Sequence, residues 1–402
     1  MRVPLRTLAL TTSVVMGATA CSGSAITGGE DTDDGTIPIG IIADRTGSTA
    51  DVGSIYNDGM LAYIDWLNAE GGIEGHEIDA QSEDYAYEVP EAEDLYRRYT
   101  ADGVVAVQGW GTGDTEALRG NVSADEIPFM SASYSEELTD PEESPYNFVV
   151  APTYSDQMRV ALDHIVAEDD AEEVAVFHHD SPFGTAPVGD GADWIDEQDY
   201  DLGYESYAMP DDTANFVGML TQAEDQGASH IVIQNVSSPA AQVAQDLAEQ
   251  DMDMRIVCLN WCADELFVTT AGEDAAEGHL FVQPFAPPEA QRPGHAEPAA
   301  YLEDQGGSLE EEGLHFTQGW YTMHVMAEGM RELVANDEEV TGPTLREALE
   351  DLEVDTGGVI GTGTVSFSAD SHRGSTSTGI YEVSSGHLDE VAADVEPGQS
   401  GE

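Results

Sequence analysis

The sequence contains no lysine, and its 12 basic residues, all arginine, stand against 80 Asp and Glu residues, a formal net charge of −68 over 402 residues. No basic patch is expected that could meet phosphate, which argues against nucleic acid and anionic membrane surfaces as partners. Such a charge repels itself in dilute buffer, whereas at molar salt the Debye length falls to about 3 Å. The composition is typical of a protein from a hypersaline habitat. An acidic disordered chain is not expected, because 41% of the residues are apolar and fall into periodic segments.

Cysteine is nearly absent, and the elements of common catalytic sites are missing. Cys258 and Cys262 lie four residues apart, and two interpretations stay open: a disulfide after export, or two thiols. The eleven histidines are scattered, so no metal site is expected. The sequence also has no G-x-S-x-G nucleophile elbow. We therefore predict no catalytic residue, metal or cofactor, and expect that the protein is not an enzyme.

Beyond the first residues, the sequence lacks the roughly 20 consecutive apolar residues of a membrane span. Arg2 and Arg6 precede a short apolar run, 8–20, which predicts a signal peptide over 1–20. Cys21 follows, and the segment resembles a lipoprotein signal, which implies lipidation of Cys21; ordinary secretion is the alternative. The small and acidic residues of 21–36 are typical of a flexible tether. We expect an exported protein anchored at the outer face of the cell membrane.

Strands and helices alternate along the rest of the chain. A strand at 37–43 is followed by a loop of small and polar residues and by a helix with Ser54 as its N-cap and Gly71 at its end. The alternation repeats to about residue 135 and resumes after about 153. This pattern predicts an α/β fold with parallel sheets, and the length predicts two domains.

Two loops after predicted strands carry candidate binding residues. The first, 108–115, reads Q-G-W-G-T-G-D-T, and its glycines and the following helix start suit an anion such as a carboxylate. A dinucleotide site is disfavoured, because the glycine spacing and a later acidic residue of that fingerprint are missing. The second, 131–135, supplies hydroxyl groups and free backbone that can bind both ends of a zwitterion. Tight or polar surface turns remain the alternative at both loops.

The sequence resembles a known family. I-G-I-I-A-D-R-T-G-S near the first strand and N-A-E-G-G-I-E-G after the first helix, with the loops above and H-H-D-S-P-F-G at 178–184, resemble the branched-chain amino-acid type of ABC-transporter substrate-binding proteins. The resemblance implies the type I periplasmic-binding fold: two Rossmann-like lobes joined by a hinge of three crossings. It assigns 37–150 with about 284–372 to the N-terminal lobe and 151–283 with about 373–392 to the C-terminal lobe. We expect a disordered tail at 393–402.

The resemblance also implies a set of ligand contacts. Thr112 and Gly113 match the positions that hold the ligand carboxylate, and a second contact loop follows in the same lobe. Phe183 matches an aromatic of the second lobe. Trp261 lies where amino-acid binders carry an acid for the amino group, so that contact lacks its usual partner. The remaining expected contacts lie on strand-end loops or could form an aromatic cage: Tyr85, Trp110, Ser131, Ser133, Tyr134, Ser135 and Asn235.

These observations predict an extracellular solute-binding lipoprotein of an ABC importer. It would bind an amino acid of branched-chain type, or a related small polar ligand, between its lobes and deliver it to the ABC permease subunits. We expect a monomer without a cofactor, attached to the membrane only through its lipid. An amide or urea binder or a ligand sensor of the same fold is the first alternative, and an exported α/β enzyme is the second.

Overall fold

The computed structural model describes residues 35–168, 171–210 and 213–399. The predicted signal peptide, Cys21 and most of the predicted tether lie outside these residues. So do the last three residues, 400–402, of the predicted tail.

The first part of the chain alternates strands and helices, as predicted. Buried apolar strands are followed by helices that cover the sheet, and the first of these helices ends before Gly71 and Gly72, which take positive φ angles of 106° and 69°. The elements are β1 (Thr36–Ala43), α1 (Ala50–Ala69), β2 (Glu77–Asp84), α2 (Val89–Asp102), β3 (Ala106–Gly109), α3 (Thr112–Asp125), β4 (Phe129–Ser131) and β5 (Asn147–Phe148).

The same alternation continues after a crossing segment. The elements of this second part are α4 (Tyr154–Glu168), β6 (Glu173–His179), α5 (Pro182–Thr185), α6 (Val188–Gln198), β7 (Gly203–Met209), α7 (Val217–Gln226), β8 (His230–Gln234), α8 (Ser237–Gln250), β9 (Arg255–Leu259), α9 (Glu265–Ala271), α10 (Glu273–Ala276) and β10 (Leu280–Gln283).

The last third returns to the first lobe with helices and then to the second with two strands. Its elements are α11 (Ala296–Gln305), α12 (Leu309–Glu312), α13 (Leu314–Ala335), α14 (Gly342–Glu350), β11 (Glu353–Asp355), β12 (Thr364–Ser366), β13 (Thr378–Ser384) and β14 (His387–Val395).

Two larger sheets organise most of these elements into two lobes, and β11 and β12 form a separate antiparallel pair. The first has the order β2-β1-β3-β4-β5, and its paired strands are parallel. The second has the order β14-β13-β10-β9-β8-β6-β7, with β13 and β14 antiparallel at one edge. In β6, Ala175 and Phe177 pack into the core on one face, and Val174 and Val176 into the core on the other. Burial on both faces explains the nearly continuous apolar strands, and the predicted α/β fold of two lobes is confirmed.

Three segments carry the chain between the lobes and are bonded to their neighbours. Val149 donates its N–H to the carbonyl of His372 at 3.0 Å, and Gly374 donates to the carbonyl of Val149 at 2.7 Å. The second segment is held where Gly361 donates to the carbonyl of Pro284 at 2.9 Å. The predicted lobe boundaries fall within these segments and remain predictions.

A ring of alternating charges lies beside the crossings. Arg373 contacts Glu136 of the first lobe at 3.3 Å and Asp156 of helix α4 at 3.2 Å. Arg159 contacts the same two carboxylates at 3.2 and 3.3 Å. Two of the few arginines in this chain are thus used to join the two lobes at the hinge.

Helices α1 and α13 pack closely through two glycines. A Cβ on Gly59 would lie 2.0 Å from the carbonyl oxygen of Phe316, and a Cβ on Gly319 would lie 1.9 Å from that of Tyr56. No side chain fits at either distance. The pair brings α13, more than 250 residues further along the chain, onto the first lobe.

Two helices begin earlier than predicted. Helix α1 begins at Ala50 rather than after Ser54, because the Asp44 carboxylate accepts hydrogen bonds from the N–H and hydroxyl of Thr49 and fixes the chain just before the helix. Helix α3 begins at Thr112, so Thr112 and Gly113 lie in its first turn rather than in the predicted loop at 108–115.

The disulfide interpretation of the two cysteines is wrong for the structure. Cys258 and Cys262 are free thiols and both are fully buried. The Cys262 thiol donates to the carbonyls of Ile233 and Leu259 at 3.4 and 3.5 Å, so this thiol has hydrogen-bond partners without a covalent bond to the Cys258 sulfur. Burial, together with Cys262, raises the pKa of Cys258 well above its ordinary value.

The predicted disordered tail begins too early. Strand β14 continues to Val395 and pairs with β13, because Val395 lies opposite Thr378. Beyond the strand, the Gly398 N–H donates to Asp163 at 2.8 Å. The ordered chain therefore extends past residue 393.

Candidate functional site

The candidate site lies where the carboxyl ends of strands from both sheets face each other. Loops after β1, β2, β3 and β4 come from the first lobe, and loops after β6, β8 and β9 come from the second. In open α/β sheets this end of the strands is where ligands bind. The loops enclose a small central cavity and, beside it, a larger outer cavity.

The central cavity is lined by both lobes and has a volume of only about 10 Å³. A space of that size holds about one water molecule. A ligand of amino-acid size therefore enters only when the lobes separate or the lining side chains move. The lining residues are Thr49, Tyr87, Trp110, Gly111, Thr112, Ala132, Tyr154, Phe183, Val236 and Trp261.

Aromatic side chains fill the space around this cavity. The rings of Trp110 and Trp261, one from each lobe, have centroids 4.8 Å apart. Tyr134 stacks on Trp261 with centroids 5.7 Å apart and an angle of 19° between the planes. Phe183 packs edge-on against Tyr154 at 5.5 Å. Four of the predicted aromatic residues thus form one cluster between the lobes.

The predicted hydroxyl groups meet at the start of helix α3. The Thr112 and Ser133 hydroxyls lie 2.8 Å apart and share one hydrogen bond. Ser131 accepts the N–H of Ser133 at 3.2 Å, and the Ser135 hydroxyl donates to Glu116 at 2.9 Å. Of these, only Thr112 borders the central cavity, while Ser135 borders a separate cavity on the other side.

Trp110 is held in place by a short chain of hydrogen bonds. Its indole N–H donates to the Thr49 hydroxyl at 2.8 Å, and that hydroxyl donates to Asp44 at 2.6 Å. Asp44 is fully buried, and its carboxylate also accepts the N–H of Gly47 at 2.6 Å, so it is bonded to both ends of the turn before α1. Thr49 was not among the predicted site residues, although it directly follows the T-G-S stretch that is part of the resemblance.

Tyr154, which the sequence analysis did not select, connects the two lobes at the site. Its hydroxyl donates to the carbonyl of Ala132 in the first lobe at 3.2 Å and accepts the indole N–H of Trp261 in the second lobe at 3.0 Å. Tyr154 is the first residue of α4, directly after a crossing segment. That position next to a crossing is the signal in the sequence that could have indicated a site residue.

The outer cavity has a volume of about 750 Å³ and is also lined by both lobes. Gly113 and Asn235, two of the predicted residues, border it together with Tyr87 and His179. The Asn235 side chain accepts the N–H of Val236 at 2.8 Å. Tyr85 lies behind this surface and is buried.

Asp114 is the acid that the sequence analysis missed in this cavity. It lies in the first turn of α3, is 2% exposed and borders the outer cavity. Its Oδ1 accepts the Tyr85 hydroxyl at 2.8 Å, whereas Oδ2 has no hydrogen-bond partner. Burial raises the pKa of Asp114 to about 7, although hydrogen bonds from Tyr85 and the backbone lower it. Gly111 is needed beside it, because a Cβ there would lie 2.3 Å from the Asp114 carboxylate.

Contacts between the lobes continue beside the site. The Asp51 carboxylate of α1 accepts the N–H of Ser238 in the first turn of α8 at 3.0 Å. Burial raises the pKa of Asp51, and the Ser238 hydrogen bonds lower it. Asp264 caps helix α9 by accepting the N–H of Phe267 at 2.7 Å. It contacts His315 of α13 as well.

Trp261 occupies the position where the resemblance implied an acid. The nearest carboxylate in sequence, Asp264, is engaged by the hydroxyl of Ser237, the backbone of Phe267 and the imidazole of His315. It is therefore not aimed at the central cavity. In the part of the chain that the structure describes, no helix is long and apolar enough to cross a membrane, and no group of metal-binding side chains is found.

This arrangement of two α/β lobes around a shared cleft defines a two-lobed binding protein of the type I periplasmic fold. The model of the family described as "Periplasmic binding protein" matches residues 36–387, and the chain belongs to that family. Membership in a family of binding proteins confirms the prediction that the chain is not an enzyme.

Solved structures share the fold over nearly the whole chain. A branched-chain amino acid ABC transporter protein from Thermus thermophilus with bound valine has a TM-score of 0.83 at 23% identity, covering 89% of this chain and 96% of its own. An ABC transporter substrate-binding protein from Aeropyrum pernix has a TM-score of 0.83 at 26% identity, covering 91% and 97%. A fatty acid ABC transporter substrate-binding protein from Thermomonospora curvata has a TM-score of 0.79 at 18% identity, covering 91% and 94%. No curated protein sequence matches the chain significantly.

Proposed function

We propose that this protein is the extracellular solute-binding component of an ABC importer. It binds an amino acid or a related small polar ligand between its lobes and delivers it to the permease. The observation that carries the proposal is the central cavity, to which each lobe contributes buried side chains at the carboxyl ends of its strands. Closure of the lobes buries the ligand, and the closed form is the one that the permease recognises.

The ligand class follows from the side chains, because the fold alone does not determine it. One structural neighbour holds valine and another is named for fatty acids, although both have this fold. The hydroxyls of Thr112 and Ser133 and the first-turn N–H groups of α3 are suited to a polar end of the ligand. Trp110, Phe183 and Trp261 are suited to an apolar part.

When the lobes are open, we propose that more residues contact the ligand than those that border the central cavity. In the first lobe, Ser131, Tyr134 and Ser135 would reach the ligand through the loop after β4, and Gly113 through backbone. In the second lobe, Asn235 lies at the start of the loop after β8. Tyr85 would affect binding indirectly, through its hydrogen bond to Asp114.

A specific observation favours the amide or urea alternative over a branched-chain amino acid. Trp261 stands where amino-acid binders of this kind carry an acid, and its indole N–H is bonded to Tyr154. The second lobe therefore offers no carboxylate to an α-amino group at this position. An amide ligand needs no such charge and can stack on the aromatic rings.

The export, anchoring and habitat of the protein are parts of the same proposal. The short apolar run before Cys21 supports secretion and attachment through a lipid on that residue. The net charge of −68 supports the proposal that the protein functions at high salt. The protein acts as a monomer, and its one macromolecular partner is the permease complex.

A thermal-shift screen in 2–3 M KCl tests the proposal. Branched-chain and other amino acids, amides, urea and polyamines are each added to the purified chain. A ligand at 100 times its dissociation constant adds about 2.7 kcal/mol to the free energy of unfolding, which raises the melting temperature measurably. A response to leucine, isoleucine or valine supports the amino-acid form, and a response to amides or urea alone supports the alternative. A folded protein that responds to no member of a broad metabolite library contradicts the proposal.

A further inference from the structure

We propose that Asp114 binds a cationic group of the ligand, so that the solute is a positively charged amine or amidine rather than an amino acid with a neutral side chain. This inference rests on the proposed function, because it names the class of ligand for the same cleft. Asp114 belongs to the first lobe, and its Oδ2 atom has no hydrogen-bond partner although the side chain is buried beside the outer cavity.

A buried carboxylate oxygen without a donor is costly, since an unpaired polar atom loses its hydration without compensation. The Tyr85 hydroxyl donates to Oδ1 and so orients the carboxylate, while the buried Oδ2 is left without a donor. An ammonium or amidinium group supplies both the missing donor and a compensating charge. A neutral amide supplies a donor but no charge.

The surroundings of Asp114 favour a cation over an anion. The residues bordering the outer cavity, all within the described part of the chain, include Glu88 and Asp180 but neither Lys nor Arg. Tyr87 and Phe216 border it as well, and aromatic rings attract cations through their faces.

The position of Asp114 also opposes a ligand carboxylate at this helix. Asp114 lies in the first turn of α3, where its own negative charge meets the positive end of the helix dipole. A ligand carboxylate at Thr112 would lie close to that charge. The positive end of the α3 dipole, which was predicted to bind an anion of the ligand, is thus already offset by the Asp114 carboxylate.

Isothermal titration calorimetry in molar KCl with matched ligand pairs tests this inference. Lysine is compared with norleucine and arginine with citrulline, since each pair differs in the charge of the side chain; agmatine and putrescine extend the cationic series. We expect the cationic member of each pair to bind and its neutral partner to bind at least about 100-fold more weakly. We expect Asp114→Asn, which can still accept the Tyr85 hydroxyl, to lose cation binding by a similar factor. Asp125→Asn at the other end of α3 serves as the control and should bind as the original protein does.

Proton release gives a second measurement that does not depend on the variant folding. The titratable groups that act on Asp114 are Tyr85, Tyr87 and Asp44, and the His179 ring packs against Tyr87 with centroids 5.8 Å apart. A cation at a carboxyl group that is partly protonated at pH 7 should release protons, seen as a dependence of the binding enthalpy on the buffer's ionisation enthalpy. No proton release at pH 7, with unchanged cation binding in Asp114→Asn, would overturn the inference.

The outcomes separate this inference from the proposed function. Binding of leucine, isoleucine, valine or a neutral amide, unaffected by Asp114→Asn, overturns the cation inference and leaves the solute-binding function intact. Failure of cationic and neutral ligands alike to bind the folded protein contradicts both.

Discussion

His315 of the first lobe and Asp264 of the second are hydrogen-bonded to each other across the interface between the lobes, and both side chains are buried. Burial lowers the pKa of His315, but the Asp264 carboxylate and the hydrogen bonds to Asp264 and Gln318 outweigh it, so the pKa is raised above 6.5. Trp261 stacks on the same imidazole with centroids 5.3 Å apart. The ion pair therefore joins the lobes directly beside the proposed ligand site.

Replacement of His315 by Gln should destabilise the protein by about 1.5–3 kcal/mol at pH 6, because a charge-assisted hydrogen bond to a buried carboxylate is lost. A histidine with a raised pKa stabilises fully below 6.5, and the contribution is lost as the pH rises through the raised value. The difference between His315→Gln and the original protein should therefore shrink at pH 9, measured by thermal unfolding in molar KCl. His387→Gln, at an exposed histidine whose pair with Glu289 is open to solvent, is the control and should change the melting temperature much less. Equal melting temperatures for the original protein and His315→Gln at pH 6 would contradict the assignment of the pair.

Close packing of α1 on α13 predicts that Gly59→Ala or Gly319→Ala destabilises the fold. Either Cβ would lie within 2.0 Å of a carbonyl oxygen, so the helices must separate, at a cost of about 1–3 kcal/mol. Gly120→Ala in α3 is the matched control: its Cβ would meet nothing within 4 Å, and alanine should stabilise the helix by about 0.5–1 kcal/mol. Chemical denaturation measures all three. A neutral Gly59→Ala would show that the helices are further apart than described.

Asp114 predicts a pH dependence of the stability of the free protein. A carboxyl group with a pKa of 3.8 in the unfolded chain and about 7 in the folded protein holds its proton in the folded state between these values. The free energy of unfolding should then decrease as the pH rises from about 4 to 7, by up to about 4 kcal/mol, and stay level above. Asp114→Asn should remove this decrease, whereas the exposed Asp193→Asn should keep it. A slope between pH 4 and 7 that Asp114→Asn leaves unchanged would show that other groups cause it.

The charge pattern predicts a strong dependence on salt. Every arginine in the described residues already pairs with a carboxylate, so most of the 80 acidic residues of the chain have no basic side chain to offset their charge. Raising KCl from 0.1 M to above 1 M shortens the Debye length from about 10 Å to about 3 Å and should raise the melting temperature. Sucrose at equal osmolality, which screens no charge, should raise it much less. A melting temperature that is constant from 0.1 to 3 M KCl would contradict the proposed adaptation to salt.

The order of strands and helices could be predicted from the sequence, because buried parallel strands and helix ends leave local signals such as Gly71 and Gly103. The helix starts at Ala50 and Thr112 could not, since they depend on Asp44 and on contacts between loops that are distant in sequence. Asp114 could not be distinguished among 80 acidic residues, because only the fold buries it. The resemblance supplied Phe183 and Trp261, but Tyr154 required knowledge of how the two lobes meet.

The most direct test of the account is the affinity of the ligand for variants of each lobe. Once a ligand is identified, calorimetry in molar KCl compares Thr112→Val in the first lobe with Phe183→Ala in the second, and Thr221→Val on the exposed face of α7 is the control. Binding of one ligand per chain, weakened about tenfold or more by Thr112→Val and by Phe183→Ala but not by Thr221→Val, is the predicted result. Binding that both cleft variants leave unchanged would contradict a ligand held between the lobes.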